Sequence, residues 1–490
     1  MNTLSPPQVQ SGPTDRVALV ILAAGAGKRM KSALPKPLHP VAGVPMIERV
    51  LRAGRAVQPV SRTVVVSPAL VPLPTTGEST DKITIAVQDP PLGTGDAVRT
   101  GLSMIGEAEW VVVLYADTPL LTGPTLSRLV AEARRTKALV TMLTCLVSDA
   151  AGYGRIERDE LGRPCRIAER VDDDPTKRIG ITEINSGMMV IRLPWAAQAL
   201  AALQPSSVSG EYYLTDLVVR AVDEAVTGES AAQWPVATVL AELSEVQGVN
   251  DRVELAQAES VARERIRTRH MLNGVTLNAP ETVFIDDDVV IGQDTTILPF
   301  TILQGTTRIG SHCLIGPQST LTDAVLGDHV TVRASTVTTT TIGDHSDVGP
   351  YAHLRSGTTL GTHVHIGNYA ELKNAVLDDR VKSGHVSYLG DVHIGSRTNI
   401  GAGTITCNYD GTAKHHTEIG SDVFVGSDSM LIAPLSIGSG AVTGAGSVVT
   451  KDVAEGVTVV GIPARPIKRR TIATAEPTQI DQTVRTNDTR

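Results

Sequence analysis

The chain has 490 residues, room for two or three domains, and its 41% hydrophobic against 20% charged residues exclude wholesale disorder. Aromatic residues make up only 3%, and 44 Lys and Arg against 52 Asp and Glu leave a net charge of −8, so neither base stacking nor charge favours a nucleic-acid partner. Cys145, Cys165, Cys313 and Cys407 form no CxxC pair, no apolar run is long enough for a membrane helix, and residues 1–15 lack a signal-peptide layout. A cytoplasmic enzyme away from membranes is the expectation.

Residues 1–15 are polar and read as disordered. Val17 to Ala24 is an apolar run that reads as a buried strand entering the turn Gly25-Ala26-Gly27. Thr63–Val66, Ile83–Val87 and Trp110–Tyr115 predict further buried strands, with helices between them such as Met46–Ala56 and Thr125–Arg135. This alternation over residues 16–248 predicts a mostly parallel sheet covered on both faces. Val249–Leu272 predicts one long helix, with Leu255, Ala258, Ala262 and Ile266 at helical spacing and Asn273-Gly274 as its stop. Residues 249–274 therefore read as a rigid linker.

From residue 275 to 470 the period changes. An aliphatic-Gly pair recurs from Ile291-Gly292 to Ile437-Gly438 at intervals that are mostly multiples of six. Such hexads build a parallel β-helix, each supplying a short strand and a corner, with the aliphatic residue pointing into a narrow prism. Corners should favour Gly, Asn or Asp for their backbone angles. A narrow interior accounts for the scarcity of rings, and this segment holds 24 of the 44 glycines. A β-sandwich is the rival, but its turns would lack the hexad phase. The phase breaks at Lys382–Asp391 and Thr404–Glu418, where loops are expected on the prism face. Residues 471–490 read as a disordered tail.

Two regions carry candidate chemistry. The run Leu22-Ala23-Ala24-Gly25-Ala26-Gly27-Lys28-Arg29-Met30 lacks the third glycine of a dinucleotide fingerprint. Its glycine turn can offer N–H groups to phosphate, and Arg29 and Lys36 can neutralise a polyphosphate. This run resembles the signature of sugar-nucleotide pyrophosphorylases. The resemblance continues through Gln88, Leu92-Gly93-Thr94-Gly95, Tyr115-Ala116-Asp117, Gly154, Glu169, Asn185-Ser186-Gly187, Glu211–Asp216 and Gly248-Val249-Asn250. It implies UTP and N-acetylglucosamine-1-phosphate as substrates. Asp117 and Asn250 would hold Mg²⁺, and Leu22, Ala23, Ala24, Gly25, Gln88, Gly93, Thr94 and Tyr115 would lie against the nucleotide. Gly154, Glu169 and Asn185 would hold the sugar, and Arg29 and Lys36 would act on the triphosphate. Ala116 departs from the family's glycine, which puts the nucleotide fit there in question.

In the hexad segment, His385 stands within Lys382–Asp391, with Arg355 and Lys373 upstream and Asn399, Ala402, Asn408, Tyr409 and Lys414 downstream. This set resembles the acetyltransferase domain of bacterial bifunctional UDP-N-acetylglucosamine synthesis enzymes. The implied fold is an α/β Rossmann-like nucleotidyltransferase domain followed by a left-handed parallel β-helix of hexapeptide repeats, assembled as a homotrimer. The resemblance makes His385 the base for acetyl-CoA-dependent acetylation of glucosamine-1-phosphate, a role suited to an imidazole near neutral pH. It assigns Arg355, Lys373, Tyr388, Asn399 and Lys414 to glucosamine-1-phosphate, and Ala402, Asn408, Tyr409, Ser427 and Ala445 to acetyl-CoA. Ile462 stands where the family has an arginine for the coenzyme A 3′-phosphate, leaving Arg465 or Lys451 as substitutes. An acyl-Cys407 intermediate is the lesser reading, since direct transfer needs no covalent step. The functional rivals are a monofunctional sugar-1-phosphate nucleotidyltransferase with a non-catalytic β-helix, and a scaffold without chemistry.

Overall fold

The computed structural model describes residues 15–25, 27–73, 83–150, 153–168, 181–207, 209–227 and 233–467. All but Asp15 of the two expected disordered termini lies outside these residues, as does Glu169. The chain divides into two compact units, residues 1–266 and 267–490.

The first unit is built on β1 (Val17–Ala23), α1 (Met46–Gly54), β2 (Ser61–Val66), β3 (Ile83–Val87), α2 (Thr94–Leu102), β4 (Trp110–Tyr115), α3 (Gly123–Thr136) and β5 (Val140–Val147). There follow β6 (Arg155–Arg158), β7 (Pro164–Ala168), β8 (Thr182–Arg192), α4 (Leu193–Ala201), α5 (Asp216–Thr227) and β9 (Val236–Leu240). The sheet runs β9-β5-β8-β4-β1-β2-β3, with β6 paired to β8 and β7 to β6. Its pairings are parallel except around β8, which runs antiparallel to β4 and β5. Every β1 residue is buried because alternate side chains feed different cores. Leu19 and Ile21 pack with Ile47 and Val50 of α1 and Leu126 and Leu129 of α3. Val20 and Leu22 face the opposite way, toward Val98 of α2 and Leu217 of α5. Each such buried aliphatic stabilises the fold by about 1.5–3 kcal/mol.

The long helix α6 (Arg252–Leu272) begins where Asp251 Oδ1 accepts the N–H groups of Val253 (2.9 Å) and Glu254 (3.0 Å), an N-cap. The division between units falls inside it. Its first turns belong to the first unit: Glu259 Oε2 accepts the Ala42 N–H at 2.6 Å, and Arg265 donates to the Leu120 carbonyl at 2.7 Å. Buried Ala258 and Ala262 make room for that contact.

The second unit is a parallel β-helix whose short strands stack coil on coil. One inward column runs Ile291, Ile309, Leu326, Ile342, Leu360, Leu377, Ile394, Ile419. Another runs Ile315, Val332, Val348, Ile366, Ser383, Ile400, Val425. A third runs Leu303, Leu321, Val337, Leu354, Leu372, Leu389. These three columns are the prism interior.

The two phase breaks have different structures. No loop forms at Lys382–Asp391: residues Lys382–Ile394 make one continuous strand, paired with His365–Leu377 along most of its length. The coil is one residue short, which a tighter corner absorbs. The second break is a true insertion. Ile394 stacks on Ile419 and Ile400 on Val425, and the extra length leaves the prism between Cys407 and Thr417.

The corners follow the expectation in part. Positive φ is carried by many glycines, Asn374 and several Asp residues, but also by Phe300, Tyr351, Tyr369, Arg380, Arg397 and four histidines. Histidine is among the residue types enriched there. His312, His329, His345 and His363 stack in one column with centroids 4.7–4.9 Å apart, so ring stacking contributes at these exposed corners.

Candidate active sites

In the first unit, β1 and β4 are neighbours, so the turn after Ala23 and the residues after Tyr115 emerge side by side. The Val249 N–H donates to the Asp117 carbonyl at 2.8 Å, which sets Asn250 beside Asp117. Lys36 then bridges them: its Nζ donates to Asp117 Oδ2 and, at 3.0 Å, to Asn250 Oδ1. Asp117 and Asn250 border a cavity of about 400 Å³ whose lining includes Arg29, Tyr115, Tyr153, Ser186 and Gly248. Burial, with Glu254 nearby, pushes the Tyr153 phenol up, so it stays neutral. Gly187 has φ +85°, and a Cβ there would lie 2.8 Å from the Tyr115 ring. Only glycine lets that ring reach its place on the cavity wall.

The remaining residues expected here are placed as follows. Leu22 and Ala23 have their side chains in the two cores, so only their main chain is free to face a nucleotide. Ala24 is half-buried and Gly25 exposed. The methyl of Ala116 packs into the core with Leu114. Thr94 Oγ1 accepts the Leu214 N–H at 3.1 Å, and the Gly95 N–H donates to the Tyr212 carbonyl at 2.8 Å, tying the Leu92–Gly95 turn to the Glu211–Asp216 segment. The Asn185 N–H donates to the Gly154 carbonyl at 2.8 Å, bringing that pair together.

In the second unit, paired strands set Asn368 opposite His385. His385 is exposed, and its Nδ1 lies 3.2 Å from Asn368 Oδ1. The amide oxygen accepts, so Nδ1 carries the proton and Nε2 keeps its lone pair. Gly367 makes this approach feasible, since a Cβ there would fall 1.8 Å from the Gly384 carbonyl oxygen.

Register follows His385 down one corner to Ala402, Ser427 and Ala445, each two residues past an aligned interior position. Three of the five residues expected to line coenzyme A thus share a column with His385. The same register brings Gly461 to the foot of that column, with the strongly exposed Ile462 next to it, and Arg465 pairs with Val460 beside them. Lys451 lies past Val449, on a different corner.

The adjacent face carries the cations. Arg355 donates to Glu371 Oε1 at 2.8 Å, and Glu371 stands opposite Tyr388. Lys414, with Arg355 behind it, crowds Lys373 and lowers its pKa. Asn408 and Asn374 both donate to Asp391, at 2.5 and 2.7 Å. Tyr409 sits on the Cys407–Thr417 insertion, away from the column. There Asp410 is held well below the usual carboxylate range by the Ala413 N–H, His415 and Thr412. Asn399 lies on the face of Lys382, across the corner from Tyr388. Burial pushes the Cys407 thiol up, which disfavours an acyl-cysteine. Sequence inspection gave Asn368, Glu371 and Asp391 no role, because only coil-to-coil register sets them beside the expected groups.

Residues 19–153 match the MobA-like NTP transferase family model, and residues 288–323 and 416–451 match the bacterial transferase hexapeptide model. The bifunctional protein GlmU of Fervidobacterium nodosum is 43% identical over 453 residues, covering 92% of this chain and 96% of that protein. The chain belongs to the bifunctional GlmU family. The GlmU protein of Trichlorobacter lovleyi is 44% identical over 89% of this chain and 94% of its own, and that of Mycobacterium bovis 41% over 92% and 91%. A solved CMP:2-keto-3-deoxy-manno-octonic acid synthetase in complex with CTP covers 51% of this chain and all of its own at 18% identity and a TM-score of 0.39, too slight a likeness to bear on the fold. The chain is a bifunctional enzyme, a uridylyltransferase joined to an acetyltransferase in UDP-N-acetylglucosamine synthesis, and not a monofunctional nucleotidyltransferase. Among the described residues no helix is long and apolar enough to cross a membrane.

Proposed function

We propose the following division of labour. In the second unit, His385 Nε2 takes the proton from the amine of glucosamine-1-phosphate as that amine attacks the thioester carbonyl of acetyl-CoA. An amide bond forms, the carbon–sulfur bond breaks, and the coenzyme leaves as its thiol. The observation that carries this is the Asn368–His385 contact, which leaves Nε2 as the basic nitrogen. Arg355, Lys373 and Lys414 receive the sugar phosphate, with Tyr388 and Asn399 toward the sugar. Ala402, Ser427 and Ala445 lie along coenzyme A, and Asn408 is held toward the acetyl end by Asp391. Arg465, beside the foot of the column, takes the 3′-phosphate in preference to Lys451.

In the first unit, the phosphate oxygen of N-acetylglucosamine-1-phosphate attacks the α-phosphorus of UTP and pyrophosphate leaves. Positioning and charge neutralisation do most of the work. Arg29 and Lys36 bind the triphosphate, Gln88, Gly93 and Thr94 the base, and Gly154, Glu169 and Asn185 the sugar. Two oxygen donors, from Asp117 and Asn250, converge on the Lys36 ammonium and so fit a hard cation. Mg²⁺ held by Asp117 and Asn250 supplies neutralisation of the phosphate charge.

The enzyme works in the cytoplasm as a homotrimer. The test is a split assay on one protein preparation. His385→Ala should lower free-thiol release from acetyl-CoA by about 10²–10⁴-fold and leave pyrophosphate release from UTP unchanged. Unchanged thiol release removes the base assignment. Mass measurement in solution checks the trimer.

A further inference from the structure

Gln88 follows β3 and is buried, with its main-chain N–H on the Val66 carbonyl at 2.9 Å. Its amide nitrogen lies 3.1 Å from the Gly93 carbonyl oxygen and 2.8 Å from Asp96 Oδ2. Both partners are acceptors only, so both amide protons are committed and Oε1 cannot face them without two acceptors opposing each other. Asp96 is buried as well. Arg99 donates to its other oxygen at 2.5 Å, and the Arg99 guanidinium lies over the Tyr212 ring at 5.1 Å. The chain Tyr212–Arg99–Asp96–Gln88 therefore leaves the amide one free hydrogen-bonding group, the acceptor Oε1.

We propose that Asp96 is a positioning residue that fixes which end of the Gln88 amide meets the base, and that this orientation selects uracil over cytosine. It rests on the reading that places Gln88 at the base. Uracil carries a proton on N3 and can donate to Oε1. Cytosine presents a lone pair there, which would set acceptor against acceptor in a buried place and leave both unpaired. A mismatch of that kind costs a site far more than the hydrogen bond contributes to the right partner. Asp96 touches neither base nor phosphate in this scheme, and sequence inspection offered no signal for it beyond a carboxylate in a first helical turn.

The test compares pyrophosphate release from UTP and from CTP, each with N-acetylglucosamine-1-phosphate, in the wild-type protein, Asp96→Asn and Asp96→Ser. With Arg99 still donating to the Asn oxygen, the new amide presents a proton to Gln88, so the Gly93 carbonyl alone then favours the wild-type orientation and the amide can turn over to meet cytosine. The expected result is a fall of tenfold or more in the UTP/CTP ratio of kcat/KM, with the CTP value itself rising. Damage to the fold lowers both values and cannot raise the CTP one. A ratio unchanged within twofold, or equal losses on both substrates, overturns the proposal. Asp96→Ser, whose hydroxyl can donate or accept, should lower the ratio in the same direction but by less, and serves if Asp96→Asn does not fold. A wild-type protein without activity on UTP would instead refute the parent reading.

Discussion

Replacing Gly367 with Ala should disable one reaction and spare the other. The new Cβ would sit 1.8 Å from the Gly384 carbonyl oxygen, whereas carbon–oxygen contacts settle at about 3.3 Å. The two coils must part locally by about 1.5 Å. The obstacle is backbone in a stacked ladder, so it cannot swing aside as a side chain would. Overpacking of this sort costs about 1–3 kcal/mol. The functional effect follows from the next residue. Asn368 holds His385 at 3.2 Å, and an opening of only ~0.4 Å carries that contact beyond hydrogen-bonding range. His385 then loses its tautomer control, and thiol release from acetyl-CoA should fall at least tenfold. Pyrophosphate release, carried by the other unit, should stay within twofold and serves as the internal control. Thiol release within twofold of wild type would refute the reasoning, because it would mean that coil spacing does not govern the base.

Asp117→Ala should abolish pyrophosphate release while leaving thiol release intact, read in the same split assay; retained pyrophosphate release sinks the metal assignment. Arg465→Ala should raise KM for acetyl-CoA but not for 3′-dephospho-acetyl-CoA, and an equal rise for both would remove its role. His270 is buried with its Nε2 unpartnered, and burial, then Arg269, brings its pKa down to about 4. The unfolded chain takes up that proton near pH 6.5 and the folded one only near 4, so stability is lost as pH falls between them. At about 1.4 kcal/mol per pH unit, the loss from this group is about 3 kcal/mol. His270→Gln should flatten that part of the pH–stability curve, measured by denaturant titration, and a curve of unchanged slope would show the group does not matter.

Local pattern was enough for the architecture. The run Val17–Ala24, the strands at Ile83–Val87 and Trp110–Tyr115, and the hexad phase of the aliphatic-Gly pairs all correspond to elements of the structure, because periodicity of burial is written directly into residue order. The same periodicity misled at Lys382–Asp391. A coil shortened by one residue breaks the phase in sequence as an insertion would, yet it closes without a loop. It was also blind to the corners, where stacking of His312, His329, His345 and His363 between coils stabilises a residue type that single positions do not suggest.

The sequence by itself determined the residue types that do the chemistry and the motifs that tie them to two activities. Tertiary structure alone decided which groups touch. Lys36 meets Asn250 across 214 positions of chain, Arg355 meets Glu371 across one coil, and Asp96 turns the amide of Gln88. The physical reason is that a hydrogen bond depends on distances of a few tenths of an ångström, set by the packing of whole sheets and coils. It likewise decided that the methyl of Ala116 faces the core, a question of strand face that no motif contains.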